Sequence, residues 1–330
     1  MENREFTVGV DLGGTNTVIG FVNIHGDFIA EVSFATQTKA GPGKFVEGLA
    51  RRIKEMQDKL PDDCECLGMG IAAPHVSYTT GKIVAPANLG WGEVNLISML
   101  SDHLDLPIAV LNDANAAALG EMGYGVAKGL RDFVLITLGT GIGSGIIANG
   151  QLLVGARGLA GEFGHMTAVC DGRECGCGRR GCVEAYASAQ GITRSALELM
   201  SDIKTSTVLE REKFSDLTSE KVFMAAQKGD SLAREVFEKT ARILGGSLAD
   251  MAACFDPEAI VLSGGVVRAG NTLLKPLRKH FEESLLHIFK GQIPILISKY
   301  PEGQAAVLGA TLWLQQSIEL PEHWKTNSPG

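Results

Sequence analysis

The chain has 330 residues, 45% of them apolar, with a formal net charge of −8 and an isoelectric point near 5.5. That is enough chain for two domains or one large one, and the acidic balance argues against a nucleic-acid surface. Met1-Glu2-Asn3-Arg4-Glu5 has no apolar core, so no signal peptide is expected.

Residues 6–14 read FTVGVDLGG, an apolar run closing on a carboxylate and two glycines. With 16–24 and 27–35 they predict a three-stranded meander that turns at His25-Gly26. A helix is expected over 43–60, where Phe45, Leu49, Ile53, Met56 and Leu60 form one apolar stripe. A strand over 67–72 leads into Ala73-Pro74 and a loop over 81–92 that holds Asn88. A short helix (97–104) precedes a strand over 107–111, which delivers Asn112-Asp113 to an alanine-rich helix (114–123). The uncharged run 133–156 raises a membrane question. Six glycines, Asn149 and Gln151 interrupt it, so a glycine-turned hairpin is expected and no membrane span.

That hairpin repeats the opening. Residues 134–148, VLITLGTGIGSGIIA, echo 8–22, VGVDLGGTNTVIGFV, at an offset of 126 residues. Each unit is strand, tight glycine turn, strand. Two ordinary hairpins would look alike, but a repeat also suits two domains of common design, each offering backbone amides to a phosphate chain. Helices are expected over 183–200, 219–227 and 231–254. A buried strand over 259–263 runs into Gly264-Gly265. A helix (272–286), a strand (293–298) and a last helix (303–316) follow.

The stretch 162–184, EFGHMTAVCDGRECGCGRRGCVE, carries one histidine and four of the seven cysteines. His165, Cys175, Cys177 and Cys182 suit a closed tetrahedral zinc site, because zinc takes soft sulfur and imidazole nitrogen together. A disulfide or spectator thiols are the plainer readings. Cys170 is a spare thiol. Asp11, at a strand end beside Gly13, Gly14 and Thr15, could hold Mg²⁺ through water. Asp113 reads either as a helix N-cap or as a general base toward a hydroxyl.

DLGGT, LNDANAAALGE, LGTGIGSGI, GEFGH, CGCGRRGCVE and LSGG, in that order, resemble the ROK family of sugar kinases and sugar-sensing repressors. The resemblance spans about 8–312. It implies an α/β, actin-like ATPase (ribonuclease H-like) fold of two domains with a cleft between them: a small one, 1–113 plus 304–330, and a large one, 114–303, carrying the zinc site. It implies an ATP-dependent hexose kinase, a glucokinase first, in the cytoplasm and commonly a homodimer. Kinases of fructose, N-acetylglucosamine, N-acetylmannosamine or allose are the neighbouring alternatives. Repressors of the family carry an N-terminal DNA-binding domain, for which a first strand starting near Phe6 leaves no room.

By the same resemblance, Asp113 is the base, and Asn88, Asn112, Glu162, His165 and Glu184 hold the other sugar hydroxyls. His165 would offer the sugar whichever ring N–H the metal leaves. Gly13, Gly14, Thr15, Gly139, Thr140 and Gly141 would line the ATP phosphates, and Gly264 and Gly265 the adenosine.

Overall fold

The computed structural model describes residues 4–84, 89–202 and 206–319. β1 (Glu5–Leu12), β2 (Asn16–Val22) and β3 (Phe28–Ala35) form the opening meander. α1 (Pro42–Gln57) then buries Phe45, Leu49, Ile53 and Met56 from one stripe. β4 (Glu65–Ala73) leads to a small ribbon of β5 (Lys82–Ile83) and β6 (Val94–Asn95), then α2 (Leu96–Ser101), β7 (Ile108–Asn112) and α3 (Asp113–Tyr124). β8 (Phe133–Leu138), β9 (Ile142–Ala148) and β10 (Gln151–Leu152) make the second meander. α4 (Glu184–Ala187), α5 (Ala189–Asp202), α6 (Ser219–Gln227) and α7 (Ser231–Phe255) follow. β11 (Ala259–Ser263), α8 (Asn271–Ser284), β12 (Ile295–Ile297) and α9 (Gln304–Ser317) close the chain.

Two five-stranded sheets result, ordered β3-β2-β1-β4-β7 and β10-β9-β8-β11-β12. They are the same design used twice. In each, an antiparallel meander continues into parallel strands: β1 beside β4 and β4 beside β7 in the first, β8 beside β11 and β11 beside β12 in the second. The offset of 126 residues maps β2 (16–22) directly onto β9 (142–148). This pair of sheets is the ribonuclease H-like repeat that the resemblance implies. The uncharged run 133–156 is thus mainly strand and turn, and among the described residues no helix is long and apolar enough to cross a membrane.

The chain divides into two compact units, one of 1–131, 145–160 and 298–330, the other of 132–144 and 161–297. The first reaches Arg131, beyond the division expected at 113/114, because α3 packs on α9. Both helices are alanine-rich and buried nearly all round, with no polar face. A Cβ at Gly309 would lie 1.6 Å from the Ala116 carbonyl oxygen, and one at Gly120 2.0 Å from that of Ala305. Glycine is therefore what lets the two backbones meet. A Cβ at Gly70 would lie 1.9 Å from the Ala310 carbonyl oxygen, so α9 also presses onto β4.

The helix expected over 183–200 is broken at Ser188. That residue is extended (ψ 169°), and its Oγ accepts from the Gly191 N–H at 3.0 Å. The serine thus restarts the helix as a cap. The ribbon of β5 and β6 lay unseen in the expected loop, since arms of two residues carry no periodicity.

Candidate active site: a carboxylate pair and a metal-ligand cluster

In the first unit, β1, β4 and β7 run parallel, and their carboxyl ends lie along one edge. Asp11 pairs with Ala72, and Ala73 pairs with Asn112. Asp11 and Asp113 therefore reach the same edge, where open α/β sheets bind ligands. The N-cap of α3 is Asn112, not Asp113: Asn112 Oδ1 accepts from the Ala114 and Asn115 N–H groups at 3.0 and 3.2 Å. Asp113 is thus the first helical residue, its Oδ1 accepting from Ala114 N–H at 2.8 Å.

Both carboxyls are half-buried and closely surrounded. Burial pushes Asp113 above the ordinary carboxylate range; the Ala114 N–H, His75 and the Asn112 side chain pull it partly back. Burial pushes Asp11 well up, and the neighbouring charges of Asp113 and Glu302 add to it. A buried carboxylate whose charge disfavours that of a second one suits a proton acceptor beside a group awaiting a cation.

Gly13 makes the turn beyond β1. Its N–H donates to Asn16 O at 3.0 Å, and its carbonyl accepts from Thr36 Oγ1 at 2.7 Å. Gly14 and Thr15 follow in the same turn. In the second unit Gly139 N–H donates to Gly141 O at 2.9 Å, and Thr137 Oγ1 accepts from Gly143 N–H at 3.1 Å. Thr140 is exposed at the tip of that turn. Gly264 follows β11 at φ 96°, and a Cβ there would lie 2.5 Å from Leu138 O. It lies against the end of β8, with Gly265 next to it.

The stretch 162–184 folds into a knuckle in the same unit. His165, Cys175, Cys177 and Cys182 bring their ligand atoms within 4.8 Å of one another. Cys175 Sγ lies 3.7 Å from His165 Nδ1, and Cys177 Sγ 3.7 Å from Cys182 Sγ. A tetrahedron with metal–sulfur bonds of about 2.3 Å has edges of about 3.7 Å. The donor set and the spacing therefore both fit zinc. Every described cysteine is free, and Cys170 lies exposed outside the cluster. Arg179 closes the knuckle by donating to His165 O at 2.9 Å. Gly181, at φ 77°, passes so near Val169 that a Cβ would sit 1.8 Å from its carbonyl oxygen.

Nδ1 of His165 faces the sulfurs, and Nε2 faces away, 3.8 Å from a Glu162 carboxylate oxygen. Glu184 heads α4. Its Oε2 accepts from Ile142 N–H at 2.8 Å, and its Oε1 lies 3.8 Å from Cys175 Sγ. One carboxylate thus joins the metal-ligand knuckle to the second glycine turn.

The first unit thus gathers Asp11, Gly13, Gly14, Thr15, Asn112 and Asp113, and the second gathers Gly139, Thr140, Gly141, Glu162, His165, Glu184, Gly264, Gly265 and the three cysteines. Asn88 lies outside the described residues. Two residues went unseen in the sequence. His75 sits two residues past β4 in the left-handed region, φ 51°; a histidine close after a strand end was the available signal. Arg173 is buried beneath the knuckle, paired with Glu198, 4.4 Å above the Tyr186 ring and 2.9 Å from Ala185 O. It clamps the knuckle to α4 and α5, and an arginine amid ligand cysteines gave no sign of burial.

The ROK family model matches residues 7–317. The chain is 40% identical over 279 residues to a glucokinase of Halalkalibacterium halodurans, covering 83% of this chain and 84% of that protein. It is 33% identical to a glucokinase of Thermotoga maritima, over 94% of this chain and 98% of that one. Among solved structures, a ROK glucokinase from Streptomyces griseus in complex with glucose and AMPPNP matches with a TM-score of 0.81 at 32% identity, covering 94% of this chain and 99% of that one. A match along nearly the whole length, joined to the doubled sheet and to the knuckle with its flanking carboxylates, leaves one conclusion: the chain belongs to the ROK family.

Proposed function

We propose that this chain transfers the γ-phosphoryl group of ATP to the 6-hydroxyl of a hexose, D-glucose first. The observation that carries the reading is Asp113, a carboxylate raised above its ordinary range by burial at the edge where β1, β4 and β7 end. As the sugar oxygen attacks phosphorus, its proton passes to Asp113 and the bond to the ADP oxygen breaks. A positioned base contributes about 10²–10⁴-fold; alignment of hydroxyl and phosphoryl group supplies more.

The glycine turns after β1 and β8 offer N–H groups to the ATP phosphates, and Gly264-Gly265 offers a close surface to the adenosine. Asp11 would hold Mg²⁺ through water, which neutralises phosphate charge. Its raised carboxyl and its acidic neighbours support a cation there. The four knuckle ligands would hold zinc in a closed site with no open position for water. That would fix His165 through Nδ1, the nitrogen nearer the sulfurs, and would leave Nε2–H to donate to a sugar hydroxyl. Asn88, Asn112, Glu162 and Glu184 would hold the remaining hydroxyls. Such a site selects by hydroxyl position, because an unpaired buried polar group costs about 1–3 kcal/mol.

The test is a panel of glucose, fructose, allose, N-acetylglucosamine and N-acetylmannosamine with ATP and Mg²⁺, read by ADP release. Glucose should give the highest kcat/KM. A preference for an N-acetylated sugar overturns glucose as substrate, and no turnover with any hexose overturns the kinase itself.

A further inference from the structure

β9 opens with Ile142-Gly143-Ser144, and alternation along a strand puts the side chains of 142 and 144 on one face. The segment leading to His165 crosses this part of the strand at very close range. A Cβ at Gly164 would lie 2.3 Å from Ile142 O, and one at Gly161 2.7 Å from Ser144 O. Ser144 is the polar member of the contact and is only 2% exposed. Its Oγ donates to Gly161 O and accepts from the Phe163 N–H at 3.4 Å. One hydroxyl thus gives its donor and an acceptor to the two peptides that flank Glu162. Peptides are planar, so holding both planes fixes the direction in which the Glu162 side chain leaves the backbone. The second plane is held once more from its other edge, where Glu162 O accepts from the His165 N–H at 3.0 Å.

Glu162 has use for such a mount. Its side chain is 61% exposed, with His165 Nε2 3.8 Å from one carboxylate oxygen. A long side chain that is free at its root gives up that freedom each time it grips a ligand. Glu184 is held otherwise, its Oε2 accepting from Ile142 N–H at 2.8 Å. Residues 142 and 144 therefore set both acidic side chains from one strand, the first through its N–H and the second through its hydroxyl. A strand position as buried as 144 suits an apolar side chain. The chain keeps a hydroxyl there, where two peptides of the next segment need a partner. We propose that Ser144 is a positioning residue of the sugar site, aiming the Glu162 carboxylate at a sugar hydroxyl. This rests on the reading of Glu162 as a sugar contact.

The experiment uses the full, metal-loaded chain. It reads glucose affinity by titration, KM for ATP and metal content for Ser144→Ala and Ser144→Cys, each made alone and in a Glu162→Gln background. A thiol fills the place of the hydroxyl but bonds weakly, so the cysteine variant carries the test if the alanine variant does not fold. Loss of the hydroxyl should weaken glucose binding about tenfold, with metal retained and KM for ATP within about twofold of the natural value. In the Glu162→Gln background the same change should cost less than about twofold, because the group it aims is already blunted. A substitution that merely loosens the fold lowers affinity equally in both backgrounds, and that result overturns the proposal. So does unchanged glucose affinity, or a loss seen only in protein that has shed its metal. Glu162→Gln alone separates the two claims. If it leaves glucose affinity unchanged, the sugar contact at Glu162 fails and the proposal with it. If it weakens binding while the Ser144 variants bind normally, only the role of Ser144 fails.

Discussion

Asp11 and Asp113 sit at the ends of β1 and β7, on either side of β4, and the charge of Asp113 makes Asp11 harder to ionise. Both carboxyls are raised in the folded chain, so the native state holds protons that the unfolded chain has released. Their contribution to stability is complete below the ordinary carboxylate value of about 4 and is lost as pH rises through the raised folded values. Asp11→Asn removes one of the two charges. In metal-free protein it should raise the urea midpoint at pH 7.5 and flatten the fall in stability from pH 5 upward. A lower midpoint at every pH would mean that Asp11 stabilises the fold as an anion. For turnover the sign is opposite: a base must be deprotonated, so kcat/KM should drop as pH falls through the raised Asp113 value, an acid limb lying above the ordinary carboxylate range.

At the level of helices and loops, close approach decides what can be changed. Gly309 on α9 faces the Ala116 carbonyl on α3, with no room for a methyl group. Gly309→Ala should cost at least the roughly 1–3 kcal/mol typical of overpacking, since the atom it meets is backbone. An unchanged midpoint in a urea titration would show that the helices slide apart freely. In the knuckle, Cys177→Ser should release the metal and weaken sugar binding while nucleotide binding persists. Metal analysis together with glucose titration reads this directly, and full sugar affinity in metal-free protein removes the knuckle from the site.

The same level shows what was legible. The ligand spacing of His165, Cys175, Cys177 and Cys182 announced the cluster, because those donors lie close in sequence. Strand ends marked by glycine and carboxylate announced Asp11 and Asn112-Asp113. Arg173 and His75 stayed hidden because burial beneath a knuckle and a left-handed backbone both depend on distant segments, the first on α5 and the second on β5. Asn112 took the cap that Asp113 was a candidate for, a competition between neighbours that composition alone cannot decide.

Across the chain, one sheet design is used twice, and the offset of 126 residues between β2 and β9 carries from letters to strands unchanged. The two copies have specialised. The first turn follows a carboxylate, Asp11. The second lacks one and is instead tied through Ile142 to Glu184 and so to the knuckle. That division of labour puts the proposed base and cation on one sheet, and the proposed metal-braced sugar contacts on the other. It rests on Asp113 taking the proton. The direct measurement is ADP release by Asp113→Asn at saturating glucose, ATP and Mg²⁺, with glucose affinity and metal content measured on the same sample. A fall of about 10²–10⁴-fold in kcat, with affinity and metal retained, is the result expected; turnover near that of the natural protein would contradict the account.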